Sequence, residues 1–403
     1  MSAAAATATP IRLDRRGLTV LGLGHMCTDL CQGAVPALLP FLAAERGYSY
    51  AALGGLVLAA TIGSSLIQPA FGLLSDRSGR SGRPWLMSVG VFVGGAGVAV
   101  AGVMPSYAAT VAAIAVSGVG VAAFHPEGAR YAGLASGSQR GRGMGMFSVG
   151  GNAGFALGPL LATPLVLAFG LEGTLGLVAL PALAAAMLAT QLDHLRTLAG
   201  GEGEAARIAA AGRDDPGAFA RLGAVISLRS GIYFGLQAFA PAYLVAELGA
   251  SETTGNAALT AMLLAGAVGT LVGGELVDRL GARTVLVGSL AALIPFLLVL
   301  PLLGLTTAVI CLAAIGLLTI STFSVTIVLG QQYLPSRVGL ASGVTLGLAI
   351  GVGGLAATGL GFVADAYGTE TVLWAIAALP VLSLPLAFTL PSTGGPRSRS
   401  RLA

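Results

Sequence analysis

Three titratable side chains stand close together in residues 124–130 (FHPEGAR), inside an otherwise apolar part of the sequence. Residues 108–124, which lead into this group, carry no ionisable side chain. By length and composition, the apolar segment and the charged residues that follow it are predicted to form one membrane-spanning helix. A charged group near the middle of a bilayer costs roughly 2.5–3.5 kcal/mol on insertion scales. His125, Glu127 and Arg130 are therefore expected to face water, each other or a cargo, as in a transport site. Because Glu127 and Arg130 stand three positions apart, the alternative is a structural ion pair at one end of the helix.

A second group of polar residues forms one stripe on the first apolar segment. His25, Asp29, Gln32 and Pro36 are spaced by four, three and four residues, which places them on one helix face about 60° wide. Asp29 lies ~18 Å into this helix, near the bilayer centre, where a carboxylate can take up and release a proton. Because histidine is the side chain type that exchanges protons near neutral pH, the pair predicts a proton relay. The alternative is a buried hydrogen-bonded pair that fixes helix packing.

A single cation, Arg229, interrupts a later apolar segment. Tyr233 and Gln237 follow it at four-residue steps, on or beside the same helix face. A guanidinium group is always charged, and inside a membrane it needs an anion. We expect that anion to be Asp29, Glu127 or an anionic cargo, and the alternative is a purely structural partner.

Two short basic turns repeat one pattern, in residues 72–80 (GLLSDRSGR) and 274–283 (GELVDRLGAR). Water screens charges in such turns, which makes them poor substrate sites. They suit ion pairs between helices that hold one side of a transporter shut. The predicted gating residues are Asp76, Arg77, Arg80, Asp278 and Arg279.

Glycines at four-residue steps, Gly150, Gly154 and Gly158, give the fifth apolar segment a smooth helix face that ends at Pro159. We interpret this face as a close contact at the seam between two halves of the protein, with plain helix packing as the alternative. Asn152 on the same helix is a further candidate for lining a cavity.

The composition places the chain among polytopic membrane proteins. Of its 403 residues, 55% are hydrophobic and only 9% are charged, whereas a soluble domain carries about 25% charged residues. The predicted fold class is an all-α membrane protein with twelve transmembrane helices. The predicted spans are 18–43, 50–74, 84–104, 107–135, 143–169, 173–190, 219–246, 255–276, 284–303, 307–334, 338–363 and 370–390.

Internal repeats divide these spans into two pseudo-symmetric six-helix bundles. Besides the basic turns, the pattern Q-x3-P-A at Gln32 recurs at Gln237, and G-x3-G at Gly150 recurs at Gly347, all in the same order. Two parallel repeats place a cargo site at their interface, near the middle of the membrane. The predicted domains are an N-terminal tail (1–17), a first bundle (18–190), a flexible linker (191–218), a second bundle (219–390) and a C-terminal tail (391–403).

The placement of arginine predicts the orientation in the membrane. If the N-terminus is inside, the outer turns keep one arginine, Arg46, whereas the tails, the linker and the turns 75–83, 136–142 and 277–283 are rich in arginine. Both termini are therefore expected in the cytoplasm of a bacterial cell with this chain in its inner membrane. The basic start of the chain is interpreted as an uncleaved tail.

The sequence contains no phosphate-cradling glycine loop followed by lysine, no metal-ligand spacing and no nucleophile motif. Cys27, Cys31 and Cys311 lie in apolar segments and form no recognisable metal or disulfide pattern. The sequence therefore predicts a transporter without a cofactor, driven by an ion gradient, and not an enzyme.

Several of these motifs resemble those of the major facilitator superfamily. The turn around Asp76 is similar to its loop signature, and Gly154-x3-Gly158-Pro159 resembles the fifth-helix motif of its proton antiporters, although Leu160 and Leu161 stand where further glycines are usual. The resemblance implies a twelve-helix fold in which spans 1, 4, 7 and 10 line the cavity. The stretches that look similar to the fosmidomycin resistance branch of the superfamily are 25–32, 124–130 and 148–161.

We expect a proton-coupled exporter of small anionic or amphiphilic compounds that acts as a monomer in the lipid bilayer and binds no nucleic acid. The alternatives are a proton symporter that imports a small organic acid or sugar, and a membrane receptor or enzyme built on the same scaffold. The predicted proton-coupling residues are Asp29, His25 and Glu127. The predicted substrate-binding residues are His125, Arg130, Arg229, Gln32, Tyr233, Gln237 and Asn152.

Overall fold

The computed structural model describes residues 13–48, 50–78, 82–200 and 213–392, and this part of the chain is helical throughout, without strands. In chain order the helices are α1 (Arg15–Arg46), α2 (Tyr50–Ser65), α3 (Gln68–Arg77), α4 (Trp85–Ala101), α5 (Tyr107–Ala135), α6 (Arg140–Phe169), α7 (Ala179–Thr190), α8 (Leu192–Gly200), α9 (Pro216–Ala246), α10 (Glu252–Leu280), α11 (Ala282–Val299), α12 (Leu305–Ser321), α13 (Phe323–Tyr333), α14 (Val338–Tyr367) and α15 (Thr369–Phe388).

The predicted all-α membrane architecture is confirmed. Helix pairs α2–α3 and α12–α13 form the second and tenth spans, and a 3₁₀ segment (Gly170–Val178) joins α7 in the sixth. Within the described residues, nine helical stretches are long and apolar enough to cross a membrane. Helix α1 is not among them. It is nevertheless 32 residues long, and the polar stripe at His25 and Asp29 lowers its hydropathy.

Breaks within the second and tenth spans have local causes. Pro69 stands in the first turn of α3, where its missing N–H group cannot continue the hydrogen bonding of α2. Between α12 and α13, Thr322 turns its hydroxyl group to the carbonyl oxygen of Thr319 at 2.8 Å, so the side chain competes with the backbone for that acceptor. Each break joins two helical segments of one span.

The glycine face of α6 packs inside the first half, so its predicted place at the seam between halves is wrong. A Cβ atom on Gly154 would lie 2.9 Å from the backbone nitrogen of Leu30 in α1. Gly150 and Gly158 approach the α1 backbone at Gly22 and Gly33 in the same way. The glycines therefore let α1 and α6 touch backbone to backbone, as small residues do between membrane helices.

Part of the predicted linker is an ordered helix, α8. Leu195 and Ala199 are buried, while Arg196 on the other face is exposed and pairs with Asp193. Residues 201–212 of the linker lie outside the described part of the chain. We call the end of the bundle that carries α8 the linker end. The starts of α1 and α6 lie at the same end, because Asp14 donates its backbone N–H to the carbonyl of Ala135 at the end of α5.

Candidate functional site

Two helices of the first half bring three titratable side chains into contact. Nε2 of His25 lies 3.2 Å from Oδ2 of Asp29 on α1, and Nε2 of His125 on α5 lies 3.2 Å from Oδ1 of the same carboxylate. All three residues are at most 5% exposed. We call His25, Asp29 and His125 the His–Asp–His cluster. His125, predicted to contact substrate, thus joins the two residues predicted to carry the proton.

Backbone carbonyl groups fix the orientation of both rings. Nδ1 of His25 lies 2.8 Å from the carbonyl oxygen of Phe147, and Nδ1 of His125 lies 2.9 Å from that of Val121. A carbonyl oxygen can only accept a hydrogen bond, so each Nδ1 carries a proton and donates it. In a neutral ring the lone pair of Nε2 then points at Asp29. Any further proton in the cluster is shared between that carboxylate and the two Nε2 atoms, and it can move with little movement of the side chains.

Aromatic rings and a glycine shape the surroundings of this cluster. Phe147 stacks on the His25 ring with centroids 4.1 Å apart, and Phe124 lies 5.9 Å from the same ring. A Cβ atom on Gly151 of α6 would lie 2.6 Å from both Oδ2 of Asp29 and Nε2 of His25. Glycine at this position therefore leaves room beside the two reactive atoms.

Glu127 and Arg130 belong to a different cluster, near the linker end. Oε1 of Glu127 accepts the backbone N–H of Arg83 at 2.5 Å, and its other oxygen has no hydrogen-bond partner among the described residues. The guanidinium group of Arg130 lies 3.3 Å from Oδ1 of Asp76 on α3. Glu127 thus anchors the turn between α3 and α4, and Arg130 contacts the predicted gating residue.

Arg229 is a buried cation without an acidic partner. It is 3% exposed, and no carboxylate in the described part of the chain forms an ion pair with it. Its Nη1 donates to the carbonyl oxygen of Thr319 at 3.3 Å, its Nε has no partner, and its Cζ lies 5.7 Å from the centre of the Phe323 ring. The guanidinium group of α9 therefore faces α12 and α13, and the predicted pairing with Asp29 or Glu127 is absent here.

The remaining substrate-binding candidates are polar groups in partly buried positions. The Tyr233 side chain lies near that of Gln237, one turn further along α9. Nε2 of Gln32 on α1 has no partner. Nδ2 of Asn152 on α6 donates to Oγ1 of Thr270 on α10 at 3.1 Å, and this hydrogen bond joins the two halves.

Two aspartates close the linker end in a pseudo-symmetric way. Oδ1 and Oδ2 of Asp76 accept the backbone N–H groups of Gly339 and Leu340 at 2.9 and 2.8 Å, at the start of α14. Asp278 at the end of α10 likewise accepts those of residues 141 and 142, at 2.8 and 2.9 Å, at the start of α6. Each carboxylate meets unpaired N–H groups and the positive end of a helix dipole. We call these two contacts the aspartate latches.

The glycines of the basic turns permit the latches to form. A Cβ atom on Gly274 would lie 2.6 Å from the carbonyl oxygen of Gly141. A Cβ atom on Gly72 would lie just as close to the backbone of Gly339. The arginines of these turns that the structure describes make no contact with the opposite half. Arg77 is exposed, Arg279 pairs with Glu275 on its own helix, and Arg80 lies outside the described residues. The two carboxylates join the halves by helix capping, and the ion pair of Asp76 with Arg130 lies within the first half.

Sequence spacing did not single out a further bridge between the halves. The guanidinium group of Arg140 donates to Oε1 of Gln331, whose Nε2 lies 3.0 Å from the carbonyl oxygen of Ala129. The partners of this glutamine become visible only from the docking of α13 against α5 and α6.

We predict that the double variant Asp76→Asn, Asp278→Asn opens the linker end. Hydrogen bonds to a charged acceptor contribute about 1.5–3 kcal/mol each, so partial loss at both latches shifts the equilibrium between closed and open forms by about 10–100-fold. Spin labels are placed at the exposed residues Thr197 and Arg221, on opposite halves. Opening is expected to lengthen the distance between the two labels, which pulsed electron–electron double resonance measures. The control Glu275→Gln removes a carboxylate one turn from Asp278 that makes no latch. An unchanged distance distribution in the double variant contradicts the prediction.

A polytopic helical bundle with two repeated halves, charges buried between its helices and latches across one end is the architecture of a membrane transporter. A family model described as Major Facilitator Superfamily matches residues 21–358 and 222–402. The chain therefore belongs to the Major Facilitator Superfamily, whose members are transporters and not enzymes.

Relatives along the whole chain agree with this family. The chain is 34% identical over 382 residues to the uncharacterized MFS-type transporter YfnC of Bacillus subtilis, covering 93% of this chain and 92% of that protein. It is 31% identical over 393 residues to the fosmidomycin resistance protein of Escherichia coli, covering 96% of each. The crystal structure of the transporter FucP in the outward conformation superposes with a TM-score of 0.73 at 16% identity, over 94% of this chain and 99% of FucP, which shows the shared fold.

Proposed function

We propose that this protein is a proton-coupled exporter of small anionic compounds in a bacterial cytoplasmic membrane. The observation that carries the proposal is Arg229, a guanidinium group buried inside the bundle with no carboxylate in the described residues to balance it. A buried unpaired charge is costly unless a ligand supplies the opposite charge. A carboxylate, phosphate or phosphonate group of the cargo meets that requirement, since guanidinium groups bind these anions bidentately.

Proton coupling is supported by the geometry of the His–Asp–His cluster. Its three side chains contact one another in a buried position and hold both rings so that Nε2 points at Asp29. Each proton that enters changes the charge of this low-dielectric region by one unit, and it therefore changes the relative stability of the transporter's two end states. Glu127, with one unpartnered oxygen, is a second candidate proton carrier nearer the linker end.

Export is favoured by the relative named for fosmidomycin resistance, which matches this chain end to end. If the linker end faces the cytoplasm, as the arginine distribution predicts, the latched form is closed towards the cytoplasm, and we infer that it exchanges protons with the outside. Proton uptake from the outside would then precede closure at that side. The cargo would be captured from the cytoplasm after the aspartate latches open.

The function is tested with purified protein in liposomes that contain a pH-sensitive dye. A panel of anionic compounds, including fosmidomycin, is added on one side in the absence of a pH gradient. An exporter that exchanges protons for cargo moves protons out of the compartment that the cargo enters, whereas an importing symporter moves both in the same direction. Proton movement with the cargo overturns export. Cargo movement without proton movement overturns proton coupling.

A further inference from the structure

We propose that the His–Asp–His cluster is also a binding site for one divalent first-row transition-metal ion, with Zn²⁺ the best-fitting ion. The sequence showed no metal-ligand spacing, because His125 lies about a hundred positions from the other two ligands and only the packing of α5 on α1 brings it near. The ligand atoms of all three side chains lie within 4.8 Å of one another. The expectation of no metal cluster is therefore revised.

The distances in the cluster suit a tetrahedral zinc ion. Ligand bonds of about 2.0–2.1 Å in a tetrahedral site place the ligand atoms about 3.3 Å apart. Each Nε2 atom lies 3.2 Å from an oxygen of Asp29. A small adjustment of the side chains then places an ion between two imidazole nitrogens and one carboxylate, which leaves a fourth position for a water molecule.

The surroundings of the two histidines have the form that metal ligands require. A ligating imidazole usually donates its other N–H group to a carbonyl or carboxylate, which fixes the tautomer and turns the free nitrogen towards the metal. His25 and His125 both do this, through Phe147 and Val121. Each carboxylate oxygen of Asp29, which is almost fully buried, faces one of these free nitrogens at 3.2 Å.

The residues at the site leave space for an ion and favour one kind of ion. Gly151 leaves open the position beside Asp29 and His25 that a Cβ atom would fill. Two imidazoles with a carboxylate suit Zn²⁺ and its neighbours, whereas Mg²⁺ and Ca²⁺ prefer oxygen ligands alone. The nearby thiol of Cys31 donates to the carbonyl oxygen of Cys27 at 3.2 Å, so we expect no sulfur ligand.

This inference goes beyond the proposed transport function and does not depend on it. A metal ion and a proton would compete for the same lone pairs of Nε2, so that bound zinc would hold the cluster in one charge state. Zinc binding and proton-driven transport are measured separately, and the failure of one leaves the other standing.

Zinc binding is tested on the full chain, purified in detergent without a polyhistidine tag. Equilibrium dialysis with ⁶⁵Zn²⁺ is expected to show one ion per chain, and X-ray absorption is expected to show nitrogen and oxygen ligands at about 2.0–2.1 Å. His25→Gln and His125→Gln are each expected to weaken binding at least tenfold. His194→Gln, which removes the third histidine of the chain, and Cys31→Ala are the matched controls and are expected to leave binding unchanged.

A variant that keeps all three ligands distinguishes loss of the metal site from misfolding of the protein. Gly151→Ala places a methyl group against Asp29 and His25 and is expected to weaken zinc binding, while gel filtration shows the same monodisperse protein. Sulfur ligands at about 2.3 Å, or equal binding by the wild type and His125→Gln, would overturn the proposal. Absence of zinc binding in a protein that still transports its cargo overturns the metal site alone.

Discussion

Replacing Asp29 by asparagine is expected to abolish transport driven by a pH gradient, with a loss of at least about 100-fold in initial rate, while exchange of cargo for cargo continues. Asparagine has nearly the shape of aspartate but cannot take up a proton at any physiological pH. Without Asp29 the two Nε2 atoms at 3.2 Å lose the carboxylate with which they share protons. The measurement compares gradient-driven efflux with counterflow in the same proteoliposomes.

The neighbouring variants sharpen this prediction. His25→Gln and His125→Gln are expected to reduce gradient-driven transport by about tenfold each, because a positioned proton-transfer group typically contributes at least that much. Asp193→Asn is the control, since this exposed carboxylate pairs with Arg196 on the surface of α8, away from the cluster. Unchanged gradient-driven efflux by Asp29→Asn would falsify the assignment of the His–Asp–His cluster to proton coupling.

Arg229→Gln is expected to have two opposite effects on one protein. The concentration of anionic cargo needed for half-maximal transport should rise by about 30-fold or more, since truncating one partner of a buried charge pair costs about 2–5 kcal/mol. The ligand-free protein should become more stable towards heat, because the variant removes a buried charge that has no counter-charge in the described structure. Scintillation binding and thermal unfolding in detergent measure the two effects.

Arg221→Gln is the matched control for this experiment, because Arg221 lies two turns earlier on α9 and is exposed. It is expected to alter neither cargo affinity nor stability. Arg229→Lys keeps the charge but loses the planar fork, so it should bind anions at intermediate affinity. A ligand-free Arg229→Gln protein that is markedly less stable than the wild type would identify Arg229 as a structural residue and remove it from the cargo site.

The positions of the charged groups along the chain were predictable, but their partners were not. Hydropathy alone identified α1, α5 and α9 as the spans that carry buried charge, because a bilayer accepts so few ionisable groups that each one stands out. The expected ion pair of Glu127 with Arg130 follows from helical spacing, yet the structure turns Arg130 to Asp76 on α3 and Glu127 to Arg83. Helical spacing describes which residues share a face and not which neighbouring helix that face meets.

The aspartate latches were also predictable only in part from the sequence. The two basic turns were recognisable as a repeat, and their position at one end of the bundle followed from the arginines. That Asp76 and Asp278 act as caps on helices of the opposite half depends on the approach of α3 to α14 and of α10 to α6. The sequence predicted ion pairs that involve the arginines of these turns, whereas in the described structure the carboxylates make the contacts between the halves.

The sequence by itself determined the class of protein, the twelve spans and the two repeated halves, because the thickness of a bilayer and the cost of charge within it act on every local stretch of chain. Only the tertiary structure decided that His125 meets His25 and Asp29, that the glycines of α6 pack on α1, and that no acid among the described residues pairs with Arg229. These outcomes depend on the rotation and depth of each helix against its neighbours. Such packing is set by contacts between residues far apart in the chain, which no local pattern records.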